Sequence, residues 1–263
     1  AATGQALKAL ARRHQASLHA VMLTLLALEV RRRAARADFV LGTTASTRES
    51  AFEVGLAGYY VNMLPLACRL PAGASFGELL RATQDSLGAA LQHARYPFAR
   101  MYHDFWEAHP EHRHPARYPL FDLAVSENPA AGKDEALLRG GSDGDGIGYE
   151  LTSWSPGQDM VLTHEALADG GLLLQWQVNA MLYSRQGTQP WLASICAWAD
   201  WLAADPAHAD APLPDLLPAE QALLQGWEYG AVKARPAMRF DRWFETLLDQ
   251  GGAVQAARPA VLA

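Results

Sequence analysis

A single amide interrupts an apolar strand pattern at Asn62, and this residue is the first candidate for chemistry in the chain. Residues 55–58 begin and end with glycine, which allows turns and close backbone approaches that a side chain would block. Tyr60 and Val61 then favour a pleated strand. A buried amide needs hydrogen-bond partners, so Asn62 either serves the backbone around it or faces a polar channel. The sequence leaves these two alternatives equal.

Arg48 is a second candidate, because it follows a predicted strand at residues 38–44 and lies in a polar turn at residues 46–50. Its guanidinium could bind a ligand or cap the loop. The alternative is a structural ion pair with Glu49 or Glu53. The two interpretations have equal support from the sequence.

Two segments have residue types that bind metals, but neither has the pattern of a site. His109, His112 and His114 lie in a loop bounded by prolines, without the carboxylate or thiolate ligands and the rigid frame that a zinc site needs. Residues 143–146 read Asp-Gly-Asp-Gly but lack the other ligands and the closing glutamate of a calcium loop. We therefore predict no metal ligand, a solvated histidine loop and a flexible insertion over residues 127–148.

The composition is that of a globular protein: 263 residues, 50% hydrophobic and 19% charged. The net charge of −6 argues against a nucleic-acid surface, which requires a basic stripe. Cys68 and Cys196 are predicted to be free thiols in a reducing cytoplasm, with one disulfide as the alternative. The longest apolar run, Leu18–Val30, is short for a bilayer span and contains polar residues. Both ends look cut, and we expect a segment of a longer cytoplasmic protein.

Helical spacing of apolar residues predicts several helices. Ser17 is a candidate N-cap of the most apolar one, and Ser75 with Glu78 forms a candidate capping box for another. A helix from Pro97 has an aromatic stripe, which we expect to pack on the core. The predicted ranges are residues 4–13, 18–30, 75–92, 97–106 and 190–204.

Strand patterns predict a sheet that packs with these helices. In the strand at residues 119–126, Phe121 is predicted on the same face as Val125. Asp169-Gly170 is the turn signal of a hairpin. Pro65 lacks an N–H donor, so its strand either lies at a sheet edge or stops pairing there. The predicted strands cover residues 38–44, 59–66, 119–126, 148–154, 160–167 and 172–179. Composition changes near residue 205, where we place the main domain boundary, and short helices are predicted around residues 223–227 and 239–250.

Four segments in one order resemble the condensation domains of nonribosomal peptide synthetases. The family's motifs read roughly D-F-V-L-G-x-x-x-x-x-R, G-x-F-V-N-T, H-Q-D-Y-P-F-E and S-R-N-P-L. The matching segments here are Asp38–Arg48, Gly58–Leu66, His93–Ala99 and Ala116–Leu120. Together they cover roughly residues 5–205, and their order and spacing make the resemblance strong.

The resemblance implies the C-terminal lobe of a two-lobed domain with a chloramphenicol-acetyltransferase-like fold. This fold is α/β, with a mixed sheet packed with helices as an α+β sandwich. It further implies a division into lobe (1–205), linker (206–257) and start of an adenylation domain (258–263).

The chain departs from the family pattern in two ways, by substitutions within the motifs and by the absence of one motif. Met63, Ala94, Arg95, Ala99 and Tyr118 replace the family's Thr, Gln, Asp, Glu and Asn, which leaves the fold pattern intact and puts acceptor preference in question. The family's H-H-x-x-x-D-G motif does not occur in these 263 residues. By resemblance, that motif lies in the N-terminal lobe, so we expect no catalytic residue in this chain and no activity from it alone.

The resemblance implies amide formation between donor and acceptor thioesters, in a tunnel between the lobes. This lobe would contribute a floor loop over about 48–58 and a latch over roughly 126–154. The implied substrate-channel residues are Tyr60, Asn62, Ser126, Asn128 and Arg48. As alternatives, Tyr60 would be a core residue, and Ser126 and Asn128 would simply close turns.

The resemblance also implies partners. No cofactor is expected to bind the chain directly, and the phosphopantetheine arms of carrier proteins would enter the tunnel. The implied partners are upstream and downstream peptidyl carrier domains, the N-terminal lobe and an adjacent adenylation domain, with no nucleic acid and no membrane.

Three functional alternatives remain open at this point. The chain could belong to an amide-forming acyltransferase, to a non-catalytic condensation-like docking platform, or to a free-standing acyltransferase of the same fold. The adenylation-like end at residues 258–263 argues against the third. Epimerisation and cyclisation variants usually lack the Val-Asn pair present at Val61-Asn62.

Overall fold

A computed structural model of the chain describes residues 1–48, 50–54, 56–113, 120–128 and 158–229. The chain divides into two compact units, Ala1–Leu217 and Pro218–Ala263. The predicted boundary near residue 205 differs from this division, because Ala209 and Leu217 are buried in the core of the first unit. Within the described residues, the helices are too short or too polar to span a bilayer.

Most of the helices and strands that the sequence predicts are present, and they occur in the predicted order. The helices are α1 (Ala2–Arg13), α2 (Leu18–Ala34), α3 (Ala51–Val54), α4 (Phe76–Leu91), α5 (Phe98–Ala108), α6 (Arg185–Ala204) and, in the second unit, α7 (Pro218–Tyr229). Short 3₁₀ turns cover Pro110–His112 and Pro206–Ala209. The strands are β1 (Asp38–Ser46), β2 (Val61–Arg69), β3 (Leu123–Glu127), β4 (Met160–Ala166) and β5 (Leu172–Val178).

The described strands form one mixed sheet in the order β2-β1-β3-β4-β5. The pairs β1–β3 and β3–β4 are parallel, whereas β2 and β5 run antiparallel to their neighbours. Pro65 lies on β2, which is an edge strand among the five described strands, as predicted. The parallel centre puts the carboxyl ends of β1, β3 and β4 at one edge of the sheet.

Helices α1, α2, α4 and α6 pack in one cluster with one face of this sheet, which we call the helix face. The strand residues in this cluster include Leu41, Leu66, Val125, Leu162 and Trp176. Helix α2 is buried almost all round, as its uniform apolar sequence predicts. Because side chains alternate along a strand, Thr44, Ser126 and Glu165 lie on the opposite face, which we call the polar face.

Local sequence signals predict the ends of several elements correctly. Ser17 Oγ accepts from Ala20 N at the start of α2. Ser75 and Glu78 form the complete capping box of α4. Gly170 takes a φ of +86° in the β4–β5 turn, a conformation that a glycine adopts readily. These signals act within a few residues of each other, so a single sequence reveals them.

Two predictions about packing and one about the start of a helix are wrong. Phe121 precedes β3, and its ring lies against Gly42 on the polar face, where a Cβ on Gly42 would overlap it. The last helix of the first unit begins at Arg185 rather than Pro190, because Ser184 Oγ caps it by accepting from Gly187 N. The aromatic stripe of α5 does not join the core, since no residue of α5 is buried.

Several predictions fall outside the described residues. They are most of the insertion at 127–148, the strand at 148–154, the helix at 239–250 and the adenylation-like strand at 258–263. Cys68 and Cys196 are both free, as predicted.

Candidate functional site

Polar side chains from three parallel strands meet on the polar face near the carboxyl ends of those strands. Thr44 on β1 and Ser126 on β3 are joined by a 2.9 Å hydrogen bond between their hydroxyl oxygens. Asn128 follows β3 directly, and Glu165 lies near the end of β4. We call Thr44, Ser126, Asn128 and Glu165 the polar row.

Backbone pairing holds Asn128 in the polar row. Its N–H donates to the carbonyl of His164 over 2.9 Å, which extends the β3–β4 pairing past the end of β3. Its side-chain amide then donates from Nδ2 to Glu165 Oε2 over 3.0 Å. The backbone and the side chain of Asn128 are therefore both held by β4. Ser126 and Asn128, two of the predicted site residues, lie close together.

Arg48 and Tyr60 lie together at the end of β1, where they close a loop. Arg48 Nε donates to the carbonyl of Glu53 over 2.9 Å, and its Nη2 donates to the carbonyl of Leu56 over 3.0 Å. The guanidinium lies 4.3 Å from the centre of the Tyr60 ring, within the range of a cation–π contact. Thr47 donates to the carbonyl of Tyr60 from its backbone N–H over 2.7 Å. The arginine thus serves the loop between β1 and β2.

Asn62 lies on the helix face, on the same side of β2 as buried Leu64. Its side-chain nitrogen and its side-chain oxygen both form hydrogen bonds to backbone groups. Nδ2 donates to the carbonyls of Ala94 and Tyr96 over 2.8 and 2.7 Å, and Oδ1 accepts from Phe98 N over 3.0 Å. These bonds fix the turn between α4 and α5. Of the two alternatives for Asn62, the geometry favours the structural one.

A buried histidine pair lies on the helix face, beneath the start of α2. His19 Nδ1 is 2.8 Å from His164 Nε2, and His19 Nε2 is 2.6 Å from Thr43 Oγ1. The Thr43 hydroxyl donates its hydrogen to the carbonyl of Val125, so its oxygen accepts from His19 Nε2–H. His19 Nδ1 must then accept from His164 Nε2–H, which fixes the tautomer of both rings.

Burial keeps both imidazoles neutral at physiological pH. It lowers the pKa of His19 to about 4. Burial, assisted by repulsion from His19, lowers the pKa of His164 to about 4 as well. Within the described ranges, the buried Nδ1 of His164 has no hydrogen-bond partner.

The two histidines and Glu127 have donor atoms within 4.8 Å of one another, a spacing that could suit a metal ion. The ring geometry argues against a shared ion. The ring centroids are 5.1 Å apart, the separation expected when a 2.8 Å N–H···N bond lies on the line between the rings. Lone pairs that oppose each other in this way do not converge on one metal.

Neither cysteine provides an activated nucleophile. Burial raises the pKa of Cys68 to about 11, and burial with the nearby Asp200 carboxylate raises that of Cys196 to about 11. A thiol with such a pKa has almost no thiolate at neutral pH. The chemistry of the described residues therefore rests on hydroxyls, amides and one carboxylate.

The structure adds Thr44 and Glu165 to the predicted site residues. Glu165 has no local signal, since it reads as one polar residue in an alternating strand. Its place follows only from the parallel β3–β4 register, which brings His164 opposite Glu127 and the next residues, Glu165 and Asn128, together. The carboxyl ends of parallel strands are where such a search should begin.

Comparisons with known proteins identify the family and the fold. A family model described as condensation domain matches residues 1–224. Surfactin synthase subunit 2 of Bacillus subtilis is 25% identical over 265 residues, which covers 98% of this chain and 7% of that protein. Phosphinothricin tripeptide synthetase PhsC of Streptomyces viridochromogenes is 34% identical over 119 residues, 45% of this chain and 11% of that protein. The chain therefore spans a small part of these relatives.

Solved structures share the fold. The first condensation domain of the CDA synthetase superposes with a TM-score of 0.60 at 18% identity, covering 80% of this chain and 44% of that one. A four-domain nonribosomal peptide synthetase bound to AMP and glycine gives a TM-score of 0.69 at 18% identity, covering 83% of this chain and 17% of that one. The predicted α/β lobe, with a mixed sheet packed with helices in a chloramphenicol-acetyltransferase-like fold, is confirmed.

Proposed function

Because the chain belongs to the condensation-domain family, we propose that it forms the C-terminal lobe of a domain that makes amide bonds between thioester-bound substrates. The acceptor amine attacks the carbonyl carbon of the donor acyl or peptidyl thioester. A C–N bond forms, the C–S bond breaks, and the amine proton leaves as the donor thiol is released. The lengthened chain then remains on the acceptor carrier protein.

The observation that carries this proposal is the polar row, which four residues from β1, β3 and β4 form at one sheet edge on the face away from the helix layer. A reaction between two tethered substrates needs a fixed polar surface that orients them and little covalent chemistry from the protein. Hydroxyls and an amide that are held by backbone pairing supply such a surface. Ser126 and Asn128 are its members at the point where the predicted latch begins.

The imidazole that handles the amine proton is proposed to come from preceding polypeptide. The H-H-x-x-x-D-G motif is absent from these 263 residues, and His164 on β4 is bonded to His19 of α2 in the buried pair. The chain covers 44% of a solved condensation domain, which is consistent with one of two lobes. We expect the chain alone to be inactive.

The remaining predicted site residues act through the backbone in this proposal. Arg48 and Tyr60 hold the floor loop, because the guanidinium binds two loop carbonyls above the tyrosine ring. Asn62 is a positioning residue that fixes the turn between α4 and α5. Neither Arg48 nor Asn62 needs to touch a substrate in order to affect the rate.

Carrier proteins and their phosphopantetheine arms are the proposed partners, together with the N-terminal lobe of the same domain. Relatives named as synthetases support this, although the chain spans only 7% of the length of surfactin synthase subunit 2. We propose that the linker starts after Leu217, where the first compact unit ends, and leads to an adenylation domain at 258–263. A cytoplasmic location is consistent with the free Cys68 and Cys196.

The test is transfer between two loaded carriers by the natural full-length polypeptide. Donor and acceptor carriers are charged with different amino acids, and intact-protein mass spectrometry follows the acceptor. We expect the donor residue to appear on the acceptor through an amide bond. The isolated 263-residue chain, checked for its fold by circular dichroism, is the matched sample and should give no product.

Two results would contradict the proposal in different ways. Loaded carriers that bind the full-length polypeptide without any transfer would favour a non-catalytic docking platform. Transfer by the isolated chain, at the rate of the full-length polypeptide, would show that no imidazole from preceding polypeptide is needed.

A further inference from the structure

Glu165 is a carboxylate with an incomplete set of partners. It lies on β4, is 6% exposed and is on the polar face, because the neighbouring Leu162 and His164 both turn to the helix face. Among the described residues, its hydrogen bond comes from Asn128 Nδ2 to Oε2. Within the same described ranges, no Lys, Arg or His nitrogen lies within 4.0 Å of the carboxylate.

The same chain shows how a buried glutamate is completed when its role is structural. Glu29 is 1% exposed, and its carboxylate accepts from Arg33 Nε over 2.5 Å and from Ser194 Oγ over 2.8 Å. Arg32 Nη1 lies 3.5 Å from its second oxygen. A buried carboxylate is costly unless it is paired in this way. In the described part of the chain, Glu165 has one neutral donor and no cationic partner.

The surroundings of Glu165 are those of a binding site for a small polar group. The side-chain amide of Asn128 is held on the carboxylate and leaves its own Oδ1 as an acceptor. The hydroxyls of Ser126 and Thr44 lie further along the same face. Acceptor oxygens therefore predominate, which suits a ligand that donates several N–H bonds.

We propose that the Glu165 carboxylate binds the α-ammonium group of the acceptor aminoacyl thioester. This inference rests on the proposed function and adds the residue that recognises the acceptor. The carboxylate and Asn128 Oδ1 accept N–H bonds from the ammonium as the acceptor enters. The proton that must leave before attack goes to the imidazole of the preceding polypeptide, so Glu165 is a binding residue and not the base.

The experiment measures binding without turnover. Full-length polypeptide is titrated by calorimetry with two non-hydrolysable probes, the glycyl and the glycolyl amides of aminopantetheine. The two differ in one group, an ammonium against a hydroxyl. The variants are Glu165→Gln and the control Glu127→Gln, which removes the same charge from an exposed residue of β3.

Glu165→Gln is expected to weaken binding of the glycyl probe about tenfold and to leave the glycolyl probe unchanged, because a hydrogen bond between charged groups is stronger than one to a neutral amide. Glu127→Gln should change neither. The inference is overturned if Glu165→Gln binds the glycyl probe as the wild type does, or loses both probes equally. A cation of the preceding polypeptide that pairs with Glu165 would give the first of these results, with lower thermal stability.

The binding result and the proposed function can fail independently. If the wild type binds the glycyl probe with the expected selectivity but never forms an amide between loaded carriers, the proposed function fails and the role of Glu165 stands. If transfer occurs and Glu165→Gln keeps full affinity for the glycyl probe, only the role of Glu165 fails.

Discussion

The two faces of the same three strands treat their polar side chains in opposite ways. On the helix face, Thr43, His19 and His164 form a buried chain of hydrogen bonds in which Thr43 Oγ1, both nitrogens of His19 and Nε2 of His164 have partners. Among the described residues, only Nδ1 of His164 in this chain is left without a partner. On the polar face, within the residues that the structure describes, Thr44 and Ser126 share one bond and Glu165 receives a single neutral donor. The mutual hydrogen bonds on the helix face stabilise the fold, and we propose that a ligand completes the bonding of the carboxylate on the polar face.

Lowering the pH should have the largest effect on the unfolding free energy, through the buried pair of His19 and His164. The folded pKa of His19 and His164, about 4, lies below the unfolded value of 6.5, so the unfolded chain binds more protons between these values. The unfolding free energy should therefore fall as the pH drops from about 6.5 to about 4, by up to about 1.4 kcal/mol per pH unit for each histidine. Urea denaturation at several pH values measures this.

The matched variant for the pH experiment replaces both histidines by apolar residues, His19→Phe with His164→Leu. Its unfolding free energy should depend much less on pH in that window. An unchanged pH dependence in the double variant would show that other groups cause the effect and that the pair is not buried as a neutral chain.

His164→Ala should reduce the unfolding free energy by about 3 kcal/mol at pH 7, because it opens a cavity and leaves His19 Nδ1 without a donor. The double variant should be less destabilised than His164→Ala, since it removes both partners together. Equal destabilisation of the two variants would contradict a pairwise hydrogen bond. Per folded molecule, condensation should keep its wild-type rate in both.

Asn62→Ala should reduce the unfolding free energy by about 2 kcal/mol, because it leaves three backbone groups at the α4–α5 turn without their partner. Asn62→Asp is the informative comparison. It keeps the acceptor for Phe98 N and loses both donors, so it should be less stable than the wild type as well. If Asn62→Ala keeps its stability but loses condensation activity, Asn62 acts in the substrate channel and not in the fold.

Ser126→Ala should have the smallest effect on stability, under about 1 kcal/mol, since it removes one half-buried hydroxyl pair. It should nevertheless slow condensation several-fold if the polar row contacts substrate. Thr44→Val is the paired variant, because it removes the other half of the same bond. Full activity of both variants would move the site away from this edge of the sheet.

The sequence predicted what neighbouring residues decide. The capping box at Ser75 and the turn at Gly170 are local, and both are confirmed. The side to which Phe121 turns could not be predicted, because it depends on the absent side chain of Gly42, far away in the chain. Asn62 illustrates the same limit, since its partners lie 32 and more residues away.

Four of the predicted site residues lie in two groups, Ser126 with Asn128 at the end of β3 and Arg48 with Tyr60 beside the β1–β2 loop. Their role in a site stays a prediction. The His19–His164 pair, 145 residues apart, has no signal in one sequence because each residue reads as an isolated histidine in an apolar element. Only the packing of α2 on the sheet brings these two residues together.

Gly42 and Phe121 have a consequence for building chimeric synthetases. The ring occupies the space above the glycine, so the two positions behave as one unit although long stretches of chain separate them. A crossover placed between them would join a donor's side chain at position 42 to a recipient's ring at position 121. Chimeras that inherit both positions from one parent should tolerate recombination best.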